Sequence, residues 1–226
     1  MRIRKAQDRL PTNIGWLDSK HTYSFGHHYD PNWTGSGALL VINDDTVAPA
    51  GGFGTHPHRD MEIISVVLEG KLTHKDSEGN IGHLVPGMVQ RMSAGTGIRH
   101  SEYNGSDSEP VHFLQIWIAP HTQGLPPSYQ EAEVPEQKGK VVLAGEGGLL
   151  AINQHAELAQ YRLDDGDQVS FKAESRRKRY LHVIDGGIKG GDLDLGPGDG
   201  LELSAGEEKA FVAKDGTRFL AFDIPA

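Results

Sequence analysis

The sequence predicts an all-β fold of two β-barrel domains, and three observations lead there. Glycine and proline are abundant, at 29 and 12 of 226 residues, and turn pairs recur at the roughly eight-to-twelve-residue spacing of short strands. Helical periodicity is scarce, its best stretch being a short piece near Gln154 to Gln160. Pro86-Gly87, five residues, Ser93-Ala94-Gly95 recurs as Pro197-Gly198, five residues, Ser204-Ala205-Gly206. Both copies follow a hairpin turn, Leu68-Glu69-Gly70 and Ile184-Asp185-Gly186. A duplicated β-domain is the economical reading of that echo.

Composition narrows the function. A net charge of -9 argues against non-specific binding to nucleic acid or anionic membranes, which needs a basic surface. The absence of cysteine excludes disulfides, thiolate catalysis and Cys-ligated zinc. The start, Met1 to Leu10, is basic without the apolar core of a secretory signal, and no apolar run approaches a membrane span. A cytoplasmic setting is expected.

In chain order, His21-Thr-Tyr-Ser-Phe25 alternates like a short strand and Asp30-Pro31 reads as a turn. His27 and His28 are adjacent, face opposite sides of an extended chain, and read as surface or turn residues. Ala38 to Ile42 is a compact apolar strand ending in a turn at Asn43-Asp44-Asp45. Met61 to Leu68 is the longest strand signal, apolar on both faces and therefore buried. Glu69-Gly70 turns the chain into Lys71 to Asp76, and Ser77 to Asn80 is a further hairpin turn. Met88 to Met92 and Val111 to Ile118 complete a first domain over residues 1–120. Pro120, Pro126, Pro127 and Pro135 mark 121–139 as an irregular connection, leaving 140–226 for the second domain.

Chemistry concentrates between Gly51 and Asn104. His56 and His58 stand two residues apart, and so do His100 and Glu102. In a strand such pairs point to one face, with Cα atoms roughly 6.5 Å apart. Two pairs on neighbouring strands can therefore converge on one ion. Three imidazoles and a carboxylate without thiolate suit a borderline divalent metal such as iron, copper, nickel or zinc. Glu62 ranks second as a carboxylate, since an unbroken strand would carry it roughly 13 Å from His58. His74, His83, His112 and His121 are assigned surface or core roles for want of a ligand two residues away. Carrying the Pro-Gly echo forward puts Phe211 at the place of His100 and Ala213 at that of Glu102, so the second domain is expected to be metal-free.

Gly54-Thr-His-Pro-His58, Leu68-Glu-Gly70 and Gly95-Thr-Gly-Ile-Arg-His-Ser-Glu-Tyr-Asn104 resemble the two metal motifs of the cupin superfamily. With Gly15-Trp-Leu-Asp-Ser19, His21 to Phe25 and Tyr29-Asp-Pro31, the first 120 residues are similar to the pirin family. Gly95 departs from the general cupin motif, where proline is usual. The resemblance implies a bicupin of two jelly-roll barrels with metal in the N-terminal one alone, held at His56, His58, His100 and Glu102. It implies one divalent ion per chain, iron(II) first, with copper, nickel, zinc, cobalt or manganese as alternatives. Bacterial pirin-like proteins are associated with quercetin 2,3-dioxygenase activity, which would make a flavonol and dioxygen the partners of a monomer that binds no nucleic acid. Glu102 would then act as the catalytic base. Animal members are associated with a nuclear transcription-cofactor role, and that alternative makes the metal a structural or redox-sensing element.

Overall fold

Apolar strand cores separated by glycine-containing turns fold as the alternation dictates. The structure, a computed structural model, describes residues 1–226. The first half contains β1 (Arg2–Arg4), β2 (Leu10–Asn13), β3 (Leu17–His21), β4 (Leu39–Val47), β5 (Gly52–His58) and β6 (Glu62–Glu69). It continues with β7 (Leu72–Asp76), β8 (Ile81–Leu84), β9 (Met88–Ser93), β10 (Ile98–Asn104), β11 (Val111–Ile118) and β12 (Ser128–Glu133). The second half holds β13 (Gly139–Ala144), β14 (Glu157–Leu163), β15 (Gln168–Lys172), β16 (Arg177–Gly190), β17 (Leu193–Leu195), β18 (Gly200–Leu203) and β19 (Glu208–Pro225).

A seven-stranded sheet, β12-β9-β6-β11-β4-β3-β2, packs on a four-stranded sheet, β5-β10-β7-β8. Leu17, Val67, Val111 and Phe113 of the larger sheet meet Leu72 and Leu84 of the smaller one in a shared core. The second half repeats this jelly-roll plan. Its large layer runs β1-β18-β16-β19-β14-β13, while β15 pairs with β19 and β17 with β16. β16 and β19 run through both layers, with register shifts near Asp185. In the first half the equivalent path is broken into β6 then β7, and β10 then β11.

The two large sheets pack back to back. Ile42, Ile64, Leu114 and Ile116 from one side and Leu143, Leu158, Tyr180, Leu220 and Phe222 from the other form the largest buried cluster. Alternation along β6 sends Ile64 and Val66 to that interface and Ile63, Ser65 and Val67 into the first barrel. This parity, fixed by burial on both faces, also aims the polar residues of the site.

Five expectations need correction. Asn43 to Asp45 are not a turn; they lie inside β4, paired to β11 on one side and β3 on the other. The prolines do not abolish order between 121 and 139, because Ser128–Glu133 fits between Pro127 and Pro135 and pairs along β9. In return β1, assigned to the first domain by sequence, edges the second sheet against β18, so each large sheet borrows its edge strand from outside its expected boundary. The helical piece at 154–160 is replaced by β14, whose pairing with β13 and β19 overrides local preference. The strand expected at 21–25 ends at His21, beyond which Phe25 makes only an isolated bridge to His28. No helix is long and apolar enough to cross a membrane.

Candidate metal centre

β5 is the edge strand of the small sheet, which is where Pro57 can be accommodated without losing a ladder hydrogen bond. It lies against β10 with His56 opposite His100 and His58 opposite Ile98. A bulge follows, since Glu102 stands opposite Phe53, and bulges beside functional sites re-aim side chains. The strands approach so closely that a Cβ on Gly52 would fall 2.5 Å from the Tyr103 ring and 2.6 Å from the Glu102 carbonyl oxygen. Glycine is required there by contact.

This pairing brings His56, His58 and His100 together, with a ring nitrogen of each within 4.8 Å of the others. His56 Nδ1 donates to the Gly54 carbonyl at 2.8 Å, which leaves its Nε2 as the lone-pair nitrogen. The Nε2 atoms of His58 and His100 are buried and have no hydrogen-bond partner. Burial, reinforced by the neighbouring histidines, holds His58 down to about 4 and His100 down to about 3. Both imidazoles are therefore neutral near pH 7, the form that binds metal. Orphaned buried nitrogens are uncommon in folded proteins, and two of them converging with the third imidazole of His56 fit a divalent ion.

Glu102 lies slightly apart from this trio, grouped with His100 and His74. It is 1% exposed, and three side chains hold it. Ser65 Oγ and Gln90 Nε2 each donate to Oε1 at 3.1 Å, and Gln115 Nε2 donates to Oε2. His56, His58 and Glu102 line one cavity of about 200 Å³. Its apolar walls are Leu17, Phe25, Phe53 and Trp117, and Ser19, His21, Asn43, Asp45 and Gln115 add polar groups. Burial pushes the Asp45 carboxyl up to about 7, and its Oδ1 has no partner.

Glu62 is drawn elsewhere: its carboxylate accepts from Ser93 Oγ at 2.7 Å and Asn153 Nδ2 at 3.0 Å. His83 is exposed, His112 pairs with Asp44 and His121 packs against His155. His74 takes the core role expected of it, but its partner was missed. Asp76 stands two residues from it on the same face, and both side chains are fully buried behind His100. The His-x-Asp spacing was visible and carried the same parity signal as His56-x-His58 and His100-x-Glu102. Asn43 and Asp45 were also missed, because Asn-Asp-Asp has the composition of a turn.

Residues 3–118 match the family described as Pirin, and residues 142–224 match the family described as quercetinase C-terminal cupin domain. A protein of Escherichia coli K12 named quercetin 2,3-dioxygenase is 42% identical over 226 residues, covering 99% of this chain and 98% of its own. The crystal structure of the bacterial pirin YhhW from E. coli in complex with nickel(II) superposes with a TM-score of 0.94 at 40% identity, covering 99% and 98% of the two chains. GK1651 from Geobacillus kaustophilus, at 24% identity and a TM-score of 0.82 over 99% of this chain and 95% of its own, shares the fold.

Proposed function

The chain belongs to the pirin family of the cupin superfamily, and from that premise we propose that it is a metal-dependent dioxygenase that opens the central ring of a flavonol such as quercetin with molecular oxygen. The observation that carries this reading is the convergence of His56, His58 and His100, with orphaned Nε2 atoms on the last two, next to the cavity that His56, His58 and the Glu102 carboxylate line. These four residues are the proposed ligands of one divalent ion. Iron(II) is the first choice; nickel(II), which the E. coli pirin binds, copper, zinc, cobalt and manganese suit the same nitrogen and oxygen donors. When bound, the ion supplies Lewis-acid polarisation and a template that orients substrate and dioxygen.

The protein's own groups do the rest. Glu102 takes the proton of the flavonol 3-hydroxyl, the step that activates the ring. Its Oε1 already accepts two hydrogen bonds, whereas Oε2 accepts only that of Gln115, so Oε2 has more acceptor capacity left for the proton. Trp117 stands edge-on to His58 at 4.9 Å, and with Phe25, Phe53 and Leu17 gives an aromatic ring an apolar bed that excludes water. A volume of about 200 Å³ is below the roughly 300–1,000 Å³ of pockets that enclose a drug-sized ligand. A flavonol would therefore seat its reacting portion inside and leave the remainder at the mouth.

Two substitutions test the roles. Glu102→Gln keeps an oxygen ligand and removes the base, so flavonol turnover should fall at least tenfold further than metal content. Glu102→Ala should lower both together. Metal-loaded wild type that consumes neither flavonol nor oxygen with any of iron, nickel, copper, cobalt or manganese would overturn the dioxygenase reading and leave the metal-bound regulatory protein.

A further inference from the structure

Behind His100, on the side away from His56 and His58, two residues of β7 complete a chain of contacts. His74 Nδ1 lies 3.4 Å from His100 Nδ1, and His74 Nε2 lies 3.2 Å from Asp76 Oδ2. Both side chains are fully buried. Asp76 is itself fixed: Oδ1 accepts from the backbone N–H groups of Glu78 and Asn80, each at 3.0 Å, and the Asn80 amide donates to both oxygens. The His74 ring stacks on Tyr129 with centroids 4.8 Å apart and planes 22° apart.

A neutral imidazole carries one hydrogen, so the contacts assign it. His100 Nε2 is buried without a partner, and its ring lies 4.5 Å and 4.8 Å from those of His56 and His58. If Nε2 is the metal-facing lone pair, the hydrogen of His100 sits on Nδ1 and is donated to His74 Nδ1. That leaves His74 with its hydrogen on Nε2, where Asp76 Oδ2 accepts it. Every nitrogen in the chain then has a consistent role.

We propose that Asp76 and His74 are positioning residues that fix which nitrogen of His100 faces the metal and hold its ring in place. The inference rests on the reading of His100 as a ligand and extends it to a carboxylate–histidine–histidine line. Partners of this kind raise ligand basicity and orient the ring. A rival arrangement makes His74 a ligand itself, together with His100 and Glu102. It would use His100 Nδ1, which faces His74, and leave a buried Nε2–H with no acceptor. The relay leaves no such deficit.

Nitrogen-15 imidazole spectra of the full chain, metal-free and zinc-loaded, read the hydrogen positions directly. The expected pattern is His74 bearing hydrogen on Nε2 and bare at Nδ1, with His100 bearing it on Nδ1. Zinc affinity, from competition with a chromophoric chelator, is measured in parallel on three proteins. His74→Phe keeps a ring against Tyr129 and removes the acceptor, so affinity should fall about 10–100-fold. His74→Asn offers an oxygen near the place of Nδ1 and should recover most of that loss, which a purely structural role would not do. Hydrogen on Nδ1 of His74, or unchanged affinity in His74→Phe, overturns the relay while the metal reading stands. Wild type that binds no zinc or nickel overturns the metal reading, and the relay is then judged on the metal-free spectra.

Discussion

In the first barrel β10 sets His100 and Glu102 against β5; in the second, the equivalent stretch of β19 sets Phe211 against β15 and Ala213 against Asp167 just before it. The strand registers extend the correspondence. Val169, opposite Phe211, takes the place of His56, and Phe171, opposite Lys209, takes that of His58. Ile188, opposite Ala213, replaces His74. The three side chains that hold Glu102 are matched as well. Ser65, Gln90 and Gln115 share one rung across β9, β6 and β11, and the corresponding rung across β18, β16 and β19 is Leu201, Leu181 and Ala221. Asp45 becomes Tyr161, which stacks on Phe219 with centroids 4.9 Å apart. Phe171, Phe211, Ala213, Leu181, Leu201, Ala221 and Ile188 together form the buried core of the second barrel.

One scaffold therefore carries two fillings. The apolar one needs only shape complementarity and gains from burying hydrocarbon. The polar one must answer each buried donor and acceptor, since an unpaired polar group in a dry interior costs roughly 1–3 kcal/mol. Glu102 is answered by three donors and Asp76 by the Asn80 turn, whereas His58 and His100 are left with bare nitrogens. A barrel interior that tolerates this deficit, where the matched positions of its twin are hydrocarbon, is suited to a ligand.

Exchanging residues between the fillings tests that contrast. The largest effect should come from His100→Phe, which installs the residue found at the matching position of the second barrel. Bound metal should be lost completely by elemental analysis, with the far-ultraviolet dichroism of the fold retained. Full occupancy would remove His100 from the ligand set. The reverse perturbation, Phe211→Ala, should cost about 3–5 kcal/mol of stability, read as a lower urea midpoint, and leave metal content unchanged. A coupled loss of metal would show that the barrels do not act independently.

A smaller effect depends on pH. In the metal-free protein burial raises the Asp45 carboxyl from 3.8 to about 7, so between those values the folded chain keeps a proton that the unfolded chain has released. Its contribution is full below pH 3.8 and is lost as pH rises through 7. Asp45→Asn does not titrate. It should gain stability relative to wild type by on the order of a few kcal/mol across that window, then run parallel above pH 8. Denaturation curves parallel throughout would show that Asp45 ionises freely.

Much of this was legible in the sequence where period-2 parity operates. The spacing of His56 and His58, and of His100 and Glu102, needs only alternation to place each pair on one face, and the repeated Pro-Gly-x5-Ser-Ala-Gly marks equivalent strands in the two halves. What escaped depends on pairing at a distance. Asn43 and Asp45 have turn composition, yet β3 and β11 hold them in a central strand. Ser65, Gln90 and Gln115 are ordinary polar residues on three separate strands, and only the lateral register puts them on one carboxylate. Ser128–Glu133 is held in a strand by the free edge of β9, and no local signal describes that edge.

Metal content per chain is the most direct test of one polar and one apolar barrel. The full-length protein, loaded with iron(II) or nickel(II) and freed of excess by gel filtration, should retain one ion per chain. It should retain none after His56→Ala. Two tightly held ions per chain, or one that survives His56→Ala undiminished, would contradict the assignment of the site to the first barrel.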